Sequence, residues 1–170
     1  MAQIFFTDYA ADGNEELLVV RDFGWHNMQT NVDRSEGIGP FYQILLSVNG
    51  NGHAFHHDLL AELPPSTLLF ARPNETLGYA SVTDAWETVF IVFDGVLAKG
   101  LTENIDSGVY EFEGELTANA VRNILEMPET LREDMAGALL YSILLSLSER
   151  KPLLSVNAQQ KKGGVYAARD

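Results

Sequence analysis

The chain has 170 residues, a formal net charge of −13 and no cysteine. That length can bury one substantial core, and the charge opposes contact with nucleic-acid phosphates. Without thiols, disulfides, thiolate nucleophiles and thiolate metal sites are excluded.

No apolar run approaches the length that spans a bilayer. The opening MAQIFFTDYAADGNEE lacks the basic start and long apolar segment of a signal peptide, which predicts a cytoplasmic protein. Residues 3–7 read as a short strand or an arm, 9–16 as a turn around Asp12-Gly13-Asn14, and 17–23 as a strand. Residues 24–39 are polar and irregular, and carry Trp25, His26 and Arg34.

Strand-length runs rich in β-branched and aromatic residues follow at 41–48, 67–71, 77–82 and 86–93, with a shorter one at 109–112. Asn49-Gly50-Asn51-Gly52, Pro64-Pro65-Ser66 and Pro73-Asn74 separate them. Asn and Gly tolerate positive φ, while Pro presets φ and removes a ladder donor, so each cluster bends the chain. Strands at this spacing predict an antiparallel sandwich or barrel over residues 1–114. Residues 96–107 read as a looser segment.

In the run 86–93, Trp86, Thr88, Phe90 and Val92 alternate onto one face. A threonine beside bulky aromatics presents hydroxyl and ring surfaces together, which suits a compact polar ligand; Trp86 and Phe90 serve equally well as plain core. Arg34 offers a fork of donors for a carboxylate, a phosphate or sugar hydroxyls, or else a surface ion pair. Tyr79 supplies an apolar body with a polar tip.

Residues 115–154 change character. Leu116, Ala120 and Ile124 recur at helical spacing up to Pro128, and a second helix is predicted over 129–150. Its centre, AGALLYSILLSL, is apolar almost all round: Met135, Leu139, Ile143 and Leu147 form one stripe, and Ala136, Leu140, Leu144 and Ser148 border a second. Two apolar faces call for two partners, the β-domain and a second subunit, which predicts a homodimer with Leu140, Leu144 and Leu147 at its interface. The alternative is a helix wholly buried within one monomer. Residues 155–164 read as a polar linker, and Val165-Tyr166-Ala167-Ala168-Arg169-Asp170 resumes a helical composition.

Tyr42, Val48-x-Gly50-x-Gly52, Leu63-Pro64-Pro65-Ser66-x-Leu68, Pro73, Tyr79, Trp86 and Phe90-x-x-Phe93-x-Gly95, followed by two helices, resemble the N-terminal sensing and dimerisation domain of AraC-family transcription regulators. The ending VYAARD resembles the first helix of that family's helix-turn-helix domain, so 155–170 would be a linker and the start of a DNA-binding domain. The resemblance implies a cupin-type β-sandwich (a jelly roll), mainly β, followed by two antiparallel helices. It implies a small effector bound inside the barrel (a sugar, an organic acid or a phosphorylated metabolite) and no catalysis, metal or cofactor. DNA would be bound only through the C-terminal domain. Its sugar-binding pattern maps onto Arg34, Tyr79, Thr88 and Phe90, with threonine replacing a histidine and phenylalanine an indole. Trp25 and His26 would belong to a segment folding over the ligand.

Cupins also include metal enzymes, and a stand-alone binding protein or a degenerate metal-dependent isomerase-like enzyme is the alternative. Gly50, His56, Asp58 and Glu62 fall at the spacing of the cupin first metal motif, but Asp58 stands where a second histidine belongs. Gly78 takes the place of the second-motif histidine, so two nitrogen ligands are lost.

Overall fold

The structure is a computed structural model that describes residues 4–6, 18–28, 34–56 and 59–155. Strand β1 (Ile4–Phe6) pairs with β2 (Val19–Met28); β3 (Arg34–Ile38), β4 (Tyr42–Asn49), β5 (Gly52–His56), β6 (Leu59–Leu63), β7 (Thr67–Ala71), β8 (Thr76–Ser81) and β9 (Trp86–Asp94) follow. A short helix α1 (Val96–Thr102) leads to β10 (Gly108–Glu111). Helices α2 (Gly114–Glu126) and α3 (Glu129–Ser148) precede β11 (Leu154–Ser155).

Two antiparallel sheets are formed, in the orders β1-β2-β9-β4-β7-β10-β11 and β3-β8-β5-β6. Strands β2 to β9 divide between the sheets as β2-β9-β4-β7 facing β3-β8-β5-β6, the strand order of an eight-stranded jelly roll. The expected cupin-type sandwich followed by helices is therefore present. The turns behave as their residues require. Gly50 has φ 76°, and a Cβ there would meet the Ala85 carbonyl oxygen at 2.1 Å. Ser66 and Asn74 take positive φ in the next two turns.

The larger sheet separates two cores. Its outer face carries Phe23, Tyr42, Ile44, Leu46, Leu68, Phe70, Ile91 and Phe93 against α1, α2 and α3. Tyr42 stacks on Phe93 and Phe70 at centroid distances of 5.2 and 6.3 Å. Its inner face carries Met28, Leu45, Leu69, Trp86 and Val109 toward Ala54, Ala61, Leu63 and Leu77. One strand thus feeds both cores by alternation.

Three expectations are corrected. The segment 24–39 is not irregular throughout, because residues 24–28 continue β2 alongside β9 and 34–38 form β3. Residues 96–107 contain α1. On α2 the buried side is Thr117, Ala118, Val121 and Ile124, whereas Leu116 is 73% exposed. The helix turns Ala118 and Val121, together with Ile124, toward the sheet, and Leu116 and Ala120 lie off that face.

The predicted interface leucines are corrected too. Leu140, Leu144 and Leu147 are 0%, 0% and 1% exposed, packed with Ala136 and Ile143 onto the outer face of the larger sheet. They belong to the monomer's own core. The second apolar face of α3 is a different one: Leu131, Met135, Ala138, Tyr141 and Leu145 are all exposed.

Candidate functional site

The site is built by β9 where it crosses the middle of the larger sheet. Trp86, Thr88 and Phe90 face the interior, as strand alternation requires once Trp86 belongs to the inner core. The indole of Trp86 is completely buried, and its Nε1–H donates to Ser47 Oγ at 2.9 Å. Ser47 Oγ in turn donates to the Leu63 carbonyl oxygen at 3.0 Å. A Cβ on Gly52 would come within 2.3 Å of the Trp86 ring, so the indole lies directly on bare backbone. Trp86 is thus a floor whose polar atom is already used, tying β9 to β4 and both to β6. The edge of its ring meets Tyr79 of β8 at a centroid distance of 6.2 Å and an interplanar angle of 77°.

Thr88 differs from its neighbours. It is fully buried, and its Oγ1 has no hydrogen-bond partner among the described residues. A buried hydroxyl without a partner costs about 1–3 kcal/mol, so such atoms are few in folded proteins. Thr88 lies opposite Ser47 on one side and His26 on the other. Half-buried Phe90 packs at the margin of the inner core two positions along. One orphaned hydroxyl between aromatic rings is the arrangement a small ligand with a donor or acceptor would complete.

The structure brings together Tyr79, Trp86, Thr88 and Phe90, with His26 at the register position beside Thr88. Arg34 opens β3 opposite Tyr79, which sets its backbone at the same end of the barrel; its side chain lies outside the described residues. Trp25 does not join them. It alternates to the outer face, where the Arg122 guanidinium of α2 sits 4.1 Å from its ring centroid and reaches Glu87 at 4.0 Å. Trp25 and His26 are not a lid, because both lie in β2 and pair with Val89 and Thr88. Ser47 is the site residue that sequence reasoning missed. Its only signal was a small polar residue two positions from Leu45 in a strand with a largely apolar centre.

Of the residues at the metal-motif spacing, Glu62 is exposed on the outer face opposite half-buried His53. With Asn51, Pro64 and Val82 they border an external cavity of about 160 Å³. His56 closes β5 opposite Leu77, its side chain outside the described residues, as is the whole of Asp58. Among the described residues no three His, Asp or Glu side chains converge to hold a metal ion.

The architecture is that of a cupin-fold domain. No family model matches the sequence, and no curated protein does either. Solved structures do match. Apo ToxT K231A from Vibrio cholerae strain SCE256 aligns with a TM-score of 0.56 at 9% identity, over 80% of this chain and 57% of that one. The Desulfitobacterium hafniense cupin superfamily protein aligns at 0.41 with 14% identity, over 53% of this chain and 76% of its own. A mutant of Bacillus subtilis oxalate decarboxylase OxdC aligns at 0.41 with 10% identity, over 48% of this chain and 22% of its own. The ToxT alignment is a likeness of fold, and this chain spans little more than half of ToxT.

Proposed function

We propose that this chain is the ligand-sensing and dimerising domain of an AraC-type transcription regulator in the cytoplasm. A small polar effector binds between the sheets and modulates DNA binding by a C-terminal helix-turn-helix domain. The observation that carries the reading is the orphaned Thr88 hydroxyl, buried between Trp86 and Phe90 in the inward-facing row of β9. A ligand hydroxyl, carboxylate or phosphate oxygen reaching Thr88 would satisfy it while the rings cover the apolar part. Arg34 brings an ionised donor to this sequence, which favours an acid or a phosphorylated metabolite over a neutral sugar, because hydrogen bonds to ionised groups are roughly twice as strong. The domain binds rather than catalyses, since Asp58 and Gly78 replace two of the histidines a cupin metal centre uses.

Dimerisation is assigned to the exposed stripe of α3. Leu131, Met135, Ala138, Ser142 and Leu145 recur at alternating spacings of four and three, the repeat with which one helix packs along another. Each buried leucine at such a seam contributes on the order of 1.5–3 kcal/mol before the cost of association.

A metabolite panel screened by thermal shift tests the ligand reading. Organic acids or phosphorylated metabolites that raise the melting temperature of the wild type should lose that effect in Thr88→Val and Phe90→Ala. Equal stabilisation of all three proteins would place the pocket elsewhere.

A further inference from the structure

The inner face of the larger sheet carries one unbroken file of paired positions. Phe90 of β9 lies opposite Leu45 of β4, Leu45 opposite Leu69 of β7, Leu69 opposite Val109 of β10, and Val109 opposite Leu154 of β11. All five pack in the inner core. Leu45, Leu69 and Val109 are buried, while Phe90 and Leu154 at the two ends are half-buried. Directly opposed side chains in a ladder are near enough to touch, so the file is a continuous row of contacts over four strand spacings, roughly 19 Å.

Its far end is the lightest attachment in the sheet. β11 is two residues long and forms the sheet's edge. The Leu153 N–H donates to the Val109 carbonyl oxygen at 2.7 Å. A Cβ on Gly108 would lie 2.1 Å from the Leu154 carbonyl oxygen, so β11 seats on bare backbone. The chain just before it is firmly held. Arg150 donates to both oxygens of Glu113 at 2.8 and 2.9 Å and to the Glu111 carbonyl oxygen at 2.7 Å, and lies over the Phe112 ring at 4.8 Å. Arg150 thus ties the end of α3 to the residues that follow β10, and the segment that leads into β11 begins at Lys151. Short edge strands open at the low end of a protein's local stabilities.

We propose that β11 is a releasable strap whose docking on β10 is coupled, through this file, to the packing around Phe90. The inference rests on the reading of the barrel as the effector site and supplies its output. A void beside Phe90 lets Leu45 and Leu69 relax, loosens the Val109–Leu154 contact and frees the strap. A ligand that fills the interior against Phe90 keeps it docked. Residues 156–170 follow directly on β11 in the sequence, so docking fixes where that segment starts.

Hydrogen exchange of the Leu153 amide, followed by NMR in the 170-residue chain, tests the strap without any ligand. Phe90→Ala should speed exchange at Leu153 by about threefold or more. Val89→Ala, one position away on the outer face, should leave it within the scatter of the wild type. Phe90→Leu gives a smaller change of the same sign and serves if Phe90→Ala fails to fold. Equal exchange at Leu153 in the Phe90 and Val89 variants overturns the coupling. Because no effector enters the measurement, it can fail while a metabolite still stabilises the wild type, and hold when none does.

Discussion

At the residue scale, Ser47 and Thr88 are directly opposed buried hydroxyls on the inner face of the larger sheet, with opposite fates. Ser47 is satisfied twice over, as acceptor from Trp86 and donor to Leu63, and joins three strands. Thr88, directly opposite, has no hydrogen-bond partner among the described residues. Ser47→Ala should therefore destabilise the domain by about 1–3 kcal/mol by stranding the indole N–H and a carbonyl. Thr88→Val, which removes a hydroxyl that nothing engages, should raise the stability of the ligand-free protein by about 1 kcal/mol in urea unfolding. A Thr88→Val protein less stable than the wild type would mean that the hydroxyl is engaged after all. Tyr110 gives a pH dependence. Burial, followed by the charge of Asp106, pushes its phenol up to about 12, and its O–H donates to the Asp106 carbonyl oxygen at 2.6 Å. The folded state holds this proton more tightly than the unfolded chain, whose phenol titrates near 10. Its contribution is complete below about pH 10 and is lost as pH rises through 12. Wild type should lose stability relative to Tyr110→Phe across that window; parallel curves for the two would exclude it.

At the element scale, α3 shows why a helix can be apolar all round. Ala136, Leu140, Ile143, Leu144 and Leu147 cover the larger sheet, and Leu131, Met135 and Leu145 remain outside. Leu144→Ala should cost about 2–5 kcal/mol of monomer stability through the cavity it leaves. Leu145→Asp should leave monomer stability within about 0.5 kcal/mol, as exposed substitutions do, yet abolish self-association in sedimentation at micromolar concentration. A wild-type monomer at that concentration, unchanged by Leu145→Asp, would contradict the seam. The helix itself was legible, because Pro128 ahead of it and a long apolar run bound it. Its two faces could not be assigned, since a pattern with no polar side does not say which half meets the sheet. Trp25 was misread for a related reason. Residues 24–28, carrying Gly24, His26 and Asn27, look like a loop until β9 is found beside them, and only that pairing sends Trp25 outward.

At the scale of the whole molecule, the jelly roll was legible because turn residues and β-rich runs alternate across 41–95, and the run containing Thr88 and Phe90 already alternated onto one face. The strap was not legible, since two residues after a helix carry no period, and only their register with Gly108 and Val109 makes them a strand. The central claim is that an effector binds between the sheets against β9. Trp86 and Trp25 are the chain's two tryptophans and lie on opposite faces of the larger sheet. A Trp25→Phe protein therefore leaves Trp86 as a reporter inside the barrel. Titrating it with a metabolite that raises the melting temperature should shift Trp86 emission saturably, and Thr88→Val in the same background should weaken binding at least tenfold. A metabolite that stabilises the protein without changing Trp86 emission, and with the same affinity for Thr88→Val, would contradict the account.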